Sequence, residues 1–145
     1  MNIEKYTLVS DSDHIAYEFL SEGPKGIIKK IVFYEEIENN VFNLSFGDWD
    51  EVEQRSNDKI RSNNNDRDKV LATVALTVID FVNYYPGAII QAKGFTASRT
   101  RLYQMGIVAN WNEITELFEI LGFIEGKWQA FQKGRNYSAF SLKAK

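Results

Sequence analysis

The chain has 145 residues, of which 44% are hydrophobic and 14% aromatic, so it can bury a core of its own, and we predict a single domain over residues 1–145. It contains no cysteine, which excludes disulfides, thiolate metal sites and cysteine nucleophiles and favours a reducing, cytoplasmic location. The net charge of −3 argues against a generally basic nucleic-acid binder, and no apolar segment is long enough to predict membrane insertion.

The first third of the chain predicts an antiparallel meander. Alternating apolar and polar residues indicate strands over 6–9, 15–21, 27–37 and 41–46. Gly23-Pro24-Lys25-Gly26 favours a tight turn between the second and third of these strands. A sheet of this kind needs an apolar cover on one side.

Residues 47–65 lose the alternation. The segment is rich in charged residues and contains three consecutive asparagines, a composition typical of a mobile loop. Connections of this length are uncommon inside compact domains. The segment is therefore expected to be either a functional lid or a tolerated insertion.

The longest helix is predicted over 66–85, where apolar residues recur at helical spacing and Pro86-Gly87 ends the pattern. Its apolar stripe is expected to cover the meander. Other positions of the helix are expected to face outward: Lys69, Thr73, Thr77, Asp80 and Asn83.

Shorter elements follow. We predict a buried strand over 88–92, a helix over 98–105 that Gly106 ends, and a helix that begins after Asn110 and stops at Gly122. The buried stripe of this last helix is expected to be Ile114, Leu117, Phe118 and Leu121. A hairpin over 123–131 and a strand over 137–142 complete the order ββββ-α-β-α-α-β-β. This order predicts an α+β domain with a curved antiparallel sheet covered by the long helix.

Hydroxyl and basic side chains are concentrated at the predicted helix start near residue 98. Gly94 turns the backbone after a strand, and Thr96 or Ser98 can cap the helix. Because a helix N-terminus favours anions, the segment predicts a phosphate or carboxylate site formed by Lys93, Thr96, Ser98, Arg99, Thr100 and Arg101. The alternative is an ordinary N-cap whose arginines pair with surface carboxylates. Neither a Walker-type motif nor G-x-G-x-x-G is present.

Lysines and aromatic residues alternate on the second and third predicted strands. Bases stack on aromatic rings and phosphates bind lysine, so a single-stranded nucleic-acid surface would use Tyr17, Lys25, Lys29, Lys30 and Tyr34. The alternative is that the aromatic residues form the core and the lysines protect a sheet edge.

No residue constellation in the sequence predicts catalysis, a metal site or a cofactor. Asp11, Asp13 and His14 are explained by a turn. His14 is the single histidine, and no serine lies in a nucleophile elbow.

Two segments carry a resemblance to known proteins. Residues 21–30, SEGPKGIIKK, and residues 96–105, TASRTRLYQM, with the helix start at 68–74 between them, resemble a family of short Bacteroidota proteins nearly from end to end. That family implies a lineage and no activity. Tyr17-Glu18-Phe19 and the segment 26–31 are also similar to the strand, glycine turn and strand of PUR-type and Whirly-type single-strand-binding folds, over about a quarter of the chain.

Together these features predict a non-enzymatic binding or interaction module with an anion site near Arg99 and Arg101. The first alternative is a single-stranded nucleic-acid-binding domain, and the second is an enzyme acting on a phosphorylated small molecule. The partner would be another protein or a single-stranded nucleic acid, and a homo-oligomer is compatible with the pattern.

Overall fold

The computed structural model describes residues 4–50, 55–57, 64–94 and 96–145. The first half contains strands β1 (Val9–Ser10), β2 (Ala16–Gly23), β3 (Gly26–Glu38), β4 (Val41–Asp50) and β5 (Arg55–Asn57), then helix α1 (Arg67–Tyr84). The second half contains β6 (Ile89–Ala92), α2 (Ala97–Ala109), α3 (Trp111–Leu117), β7 (Phe118–Ile124), β8 (Lys127–Ala130) and β9 (Ala139–Ala144).

Within these residues the strands form one open, curved sheet in the order β1-β2-β3-β4-β6-β9-β7-β8, with β5 beside β4. The predicted α+β domain with a curved sheet is confirmed. The sheet is mixed, however, because β6 runs parallel to β4 while the other described pairs are antiparallel. α1 lies between β4 and β6 in the chain and carries it back across the sheet, which makes the parallel pairing possible.

The core lies between one face of the sheet and the helices. Tyr17, Tyr34 and Phe81 are almost fully buried, and the rings of Tyr34 and Phe81 stack at 4.1 Å between centroids. The predicted covering role of the long helix agrees with this packing. Burial raises the pKa of Tyr34, whose hydroxyl lies 2.8 Å from Thr77 Oγ1.

Two threonines of α1 were expected to face outward, and this prediction is wrong. Thr73 and Thr77 are completely buried. Each hydroxyl donates to a carbonyl of its own helix, Thr73 to Lys69 and Thr77 to Val74, both at 2.7 Å. Because these bonds satisfy the hydroxyls, the side chains can be buried at low cost.

The predicted loop over 47–65 is wrong at its beginning, and near its end Asn64 is buried. β4 continues to Asp50 and pairs with β5, and Asn64 is 2% exposed. Charged and polar residues in this segment predict a loop rather than a strand. Asp48 can nevertheless lie in a buried strand, because it forms an ion pair with Lys30. The rest of the predicted loop, 51–54 and 58–63, lies outside the described residues.

Several boundaries differ from the prediction. The first strand is only Val9–Ser10, and α2 continues through Gly106 to Ala109. Gly106 therefore lies inside α2 and ends no helix, and a Cβ there would be in ordinary van der Waals contact with Leu71 at 3.6 Å. α3 ends at Leu117, and Phe118 begins β7 because this segment pairs with β9 along its length.

Gly122 therefore lies within β7 and ends no helix. The ring of Tyr137 occupies the space of its missing side chain, since a Cβ there would lie 2.3 Å from the ring. The last strand begins at Ala139, two residues later than predicted.

Candidate functional site

A cavity of about 440 Å³ lies where the beginning of α1 meets α2 and the sheet. This volume is within the range of small-molecule sites in proteins. Its lining comes from three parts of the chain: Lys30 and Phe46 on the sheet, the segment 64–71 at the start of α1, and Arg99 and Leu102 on α2.

Two cationic side chains of the lining are buried. Lys30 is 5% exposed and Arg99 is 7% exposed. The guanidinium carbon of Arg99 lies 5.2 Å from the ring centroid of Phe46, within cation–π range. Buried charges are costly to desolvate and are concentrated at functional sites. The cavity is therefore lined by two buried cationic side chains, of which Lys30 is paired with Asp48.

The Lys30 ammonium is held by Asp48. The two residues are direct partners in the β3–β4 register, and Lys30 Nζ donates to Asp48 Oδ1. Asp48 is 8% exposed, so both members of the ion pair are buried. Sequence reasoning missed Asp48 because it lies in the segment predicted to be a loop.

The first turn of α1 also faces the cavity. Asp66 is the N-cap residue, but its side chain makes no capping bond. Asp66 Oδ2 instead accepts hydrogen bonds from the hydroxyls of Tyr6 and Ser21, at 2.5 and 2.6 Å. Burial and the bond to Asp66 raise the pKa of Tyr6. The helix start therefore brings its partial positive charge and the carboxylates of Asp66 and Asp68 to the same part of the cavity.

Asn64 fixes the other wall of the cavity to the β2–β3 hairpin. Its Oδ1 accepts from the backbone N–H of Lys25 at 2.8 Å. Its Nδ2 donates to Ser21 Oγ at 3.2 Å and to the Gly26 carbonyl at 2.9 Å. A Cβ on Gly23 would lie 2.0 Å from the Asn64 carbonyl oxygen, so the close approach requires glycine there.

The predicted anion site at the start of α2 is only partly assembled. Thr96 is the N-cap, and its Oγ1 accepts from the Arg99 N–H at 3.2 Å. Thr100 Oγ1 donates to the Thr96 carbonyl and accepts from the Gly94 N–H, both at 3.1 Å. These two hydroxyls therefore serve the helix start, while Lys93 and Ser98 are exposed on the surface.

The two arginines of this segment face different neighbours. Arg99 lines the cavity, whereas Arg101 donates through Nη2 to the Tyr137 carbonyl at 2.6 Å and through Nη1 to Gln104. Arg101 thus links α2 to the loop before β9. Gly94 allows the chain to approach α2 closely, since a Cβ there would lie 2.4 Å from the Thr100 nitrogen.

The residues predicted for nucleic-acid binding do not share one surface. Tyr17, Lys30 and Tyr34 are buried on the core face of the sheet. Lys29 lies on the opposite face, where its Nζ is 3.3 Å from Glu18, and Lys25 is exposed in the hairpin turn. In this arrangement the two tyrosine rings are inaccessible to bases.

A polar cluster at the other end of α1 was also missed. His14 Nδ1 lies 2.8 Å from Asp80 Oδ2, and the Tyr17 hydroxyl donates to the same oxygen at 2.7 Å. Burial and the bond to Asp80 raise the pKa of Tyr17. The His14 ring stacks on Tyr84 with centroids 3.7 Å apart. The cluster joins the turn before β2 to α1 and faces away from the cavity.

This cluster makes the free energy of unfolding depend on pH. Burial favours a higher pKa for Asp80, but the bonds from His14 and Tyr17 outweigh burial and lower it. The carboxylate therefore contributes stability above the unfolded-state pKa of about 3.9, and that contribution disappears as pH falls through the lower folded-state value. In urea unfolding, Asp80→Asn should lose less stability than wild type between pH 6 and pH 3. An equal loss in both proteins would contradict this role for Asp80.

Among the described residues, no group of three or more His, Asp or Glu side chains is placed to hold a metal ion. None of the described helices combines the length and apolar character needed to cross a membrane.

The fold and cavity define a single α+β domain with an open, curved sheet and a pocket at the start of its longest helix that is lined by basic and acidic side chains. The model of a family of unknown function, DUF6934, matches residues 2–145, and the chain belongs to this family. No curated protein and no solved structure matches the chain.

Proposed function

We propose that this protein is a non-enzymatic binding module that holds a small anionic ligand, bearing a phosphate or carboxylate group, in the cavity at the start of α1. The observation that carries the proposal is the burial of Arg99 and Lys30 in the lining of a 440 Å³ cavity. Lack of cysteine in the chain is in keeping with a cytoplasmic location for the module.

The chemistry of the lining defines the ligand. Arg99 supplies a planar fork suited to phosphate or carboxylate oxygens, and Lys30 supplies an ammonium group that is also paired with Asp48. The first-turn N–H groups of α1 add donors for the same oxygens. Phe46, Leu71 and Leu102 give the cavity an apolar side, so the anionic group should be attached to an organic body.

The proposed site combines one residue from each of the two predicted sites. Of the residues expected to bind an anion, Arg99 lines the cavity, and Lys30 comes from the residues expected to bind nucleic acid. A single-stranded nucleic-acid function has less support, because Tyr17 and Tyr34 are buried.

Thermal unfolding at low salt tests the proposal against inorganic phosphate, citrate, nucleotides, coenzyme A and short oligonucleotides. A ligand at 100 times its dissociation constant should raise the free energy of unfolding by about 2.7 kcal/mol. Arg99→Gln should abolish this gain, whereas wild type and Lys93→Gln should show it equally, because Lys93 is exposed away from the lining.

Arg101→Gln tests whether the arginine at this position contributes to stability rather than to ligand affinity. We expect it to lower the free energy of unfolding by about 1 to 3 kcal/mol, since a charged donor to a buried carbonyl is lost, and to leave ligand affinity unchanged. The proposal fails if no anion shifts the unfolding midpoint. It also fails if Arg101→Gln, rather than Arg99→Gln, removes the shift.

A further inference from the structure

β3 carries apolar side chains on both of its faces. Val32 and Tyr34 point into the core and are at most 1% exposed. Ile27 and Phe33, at alternate positions, point to the opposite side of the sheet and are 68% and 37% exposed. A strand with one solvated face normally carries polar residues on that face, whereas a strand covered on both faces is apolar on both. β3 therefore has the pattern of a strand that is covered on both sides.

The exposed apolar residues on this side of the sheet lie on three neighbouring strands. Leu20 lies opposite Lys29 in the β2–β3 register. Val9 lies opposite Glu18 in the β1–β2 register, and Glu18 lies opposite Ile31. Leu20 and Val9 are 49% and 57% exposed. The buried residues of α1 belong to the core on the other side of the sheet. We call this surface the outer patch and define it by its apolar residues: Val9, Leu20, Ile27, Ile31 and Phe33.

The charged residues around the outer patch are mainly acidic. Glu18, Glu22 and Glu35 lie on this side of β2 and β3, together with the base Lys29. Lys29 is already engaged, since its Nζ lies 3.3 Å from Glu18 and 5.7 Å from the centroid of the Trp49 ring. Glu22 and Glu35 are exposed, and neither forms an ion pair with another residue that the structure describes. The outer patch therefore has an excess of negative charge, which a basic partner complements.

The two remaining carboxylates lie at opposite ends of the outer patch. Glu22 is the register partner of Ile27, and Glu35 follows Phe33 on the same side of β3. The eight residue steps from Ile27 to Glu35 span about 26 Å at ~3.3 Å per residue. Lys25 lies in the hairpin turn, outside the paired strands. A complementary partner therefore has apolar residues in its middle and a basic residue near each end.

The dimensions of the outer patch fit one α-helix. Its three strands are about 10 Å wide in total, at ~4.8 Å between neighbours, and a helix with its side chains is about 10 Å across. A helix about 26 Å long has about 17 residues at ~1.5 Å per residue. Amphipathic helices bind apolar surfaces of partner proteins through the residues of one face.

We propose that the outer patch is the docking site for a basic amphipathic helix of a partner protein. The apolar face of this helix would contact Leu20, Ile31 and Phe33, and a lysine or arginine near each of its ends would pair with Glu22 and Glu35. The sheet would then be covered on both faces, by α1 on one side and by the partner on the other. This surface is formed by other residues than the cavity, so the proposal does not depend on anion binding.

Fluorescence anisotropy with synthetic helical peptides of about 17 residues tests the proposal. One labelled peptide has a stripe of leucines and lysines near both ends, and its control has glutamate in place of each lysine. The lysine peptide should bind at least about tenfold more tightly than the glutamate peptide, since only its charges complement the outer patch. Added salt should weaken its binding, because exposed charges are screened.

Apolar substitutions locate the binding site. Ile27→Thr/Phe33→Thr should weaken binding of the lysine peptide at least about tenfold, because apolar contact area is lost. Threonine has a high strand propensity and both side chains are exposed, so the fold is retained. Leu121→Thr is the matched control and should bind like wild type, since Leu121 is 39% exposed on β7, outside the outer patch.

Charge substitutions test the two ends of the site. Glu22→Gln/Glu35→Gln should weaken binding of the lysine peptide by about threefold to tenfold, as expected for the loss of two exposed ion pairs. Glu116→Gln/Glu119→Gln removes the same net charge from exposed positions on α3 and β7 and should leave the affinity unchanged.

Three results would overturn the proposal. The first is a lysine peptide that shows no saturable binding or binds no more tightly than the glutamate peptide. The second is an affinity for the lysine peptide that Ile27→Thr/Phe33→Thr leaves unchanged. The third is a dimer of the protein alone, detected by sedimentation velocity, that the same double variant dissociates, because a second copy would then cover the outer patch.

Discussion

Asp48→Ala is expected to lower the free energy of unfolding by about 3 to 5 kcal/mol, because it leaves the ammonium of Lys30 buried without its carboxylate. Lys30 and Asp48 are 5% and 8% exposed and lie directly opposite each other on β3 and β4. Equilibrium urea unfolding at pH 7 measures the loss. Glu4→Ala is the matched control, since Glu4 is largely exposed 3.9 Å from Lys69 and exposed pairs contribute only about 0 to 1 kcal/mol.

The double variant Lys30→Met/Asp48→Leu should recover most of this loss, since replacing both members of a buried pair with apolar residues is often neutral or stabilising. The same variant should bind the anion more weakly than wild type, because Lys30 lines the cavity. Recovered stability together with weakened binding would indicate that the ion pair serves the ligand rather than the fold. A loss below about 1 kcal/mol for Asp48→Ala would mean that water reaches the pair.

Asn64→Ala is expected to cost about 3 kcal/mol, since it removes three hydrogen bonds of about 1 kcal/mol each that are made by an almost fully buried side chain. The partners are the Lys25 N–H, the Ser21 hydroxyl and the Gly26 carbonyl. The substitution should also weaken ligand binding, because Asn64 lies in the cavity wall. Urea unfolding and ligand titration of the same samples measure both effects.

Asn83→Ala is the control for this prediction. Asn83 is exposed on α1, where alanine has the higher helix propensity, so its replacement should change stability by no more than about 0.5 kcal/mol. Asn64→Asp should cost at least as much as Asn64→Ala at pH 7, because it keeps the acceptor for Lys25 but buries a carboxylate whose second oxygen faces the Gly26 carbonyl. If Asn64→Ala costs no more than Asn83→Ala, Asn64 does not anchor the segment to the hairpin.

The two buried cations of the cavity show why the candidate site was only partly predictable. The sequence places Arg99 and Arg101 together at a helix start and cannot separate them, because they are two positions apart. Residues two apart on a helix point in different directions, and only the packing of α2 decides which one meets the cavity and which meets Tyr137. Lys30 was assigned to the surface because lysine is rarely buried unless it is paired.

By itself the sequence determined the features that depend on nearby residues. The apolar period and Pro86-Gly87 defined α1 to within one residue at each end, and Gly23 and Gly26 defined the β2–β3 turn. Local turn chemistry likewise predicted the β7–β8 hairpin, where Glu125 and Gly126 have φ angles of 52° and 76°. These features follow from steric and hydrophobic preferences within a few residues.

Only the tertiary structure decided the features that join distant parts of the chain. The register of β3 and β4 brings Asp48 to Lys30, and the β2–β3 hairpin brings three partners to Asn64. In both places a polar residue is buried because residues far away in the sequence supply its hydrogen-bond partners. The polarity of the local sequence predicts an exposed loop at these positions. The cavity is formed by such pairings, and its position was fixed by packing rather than by any motif.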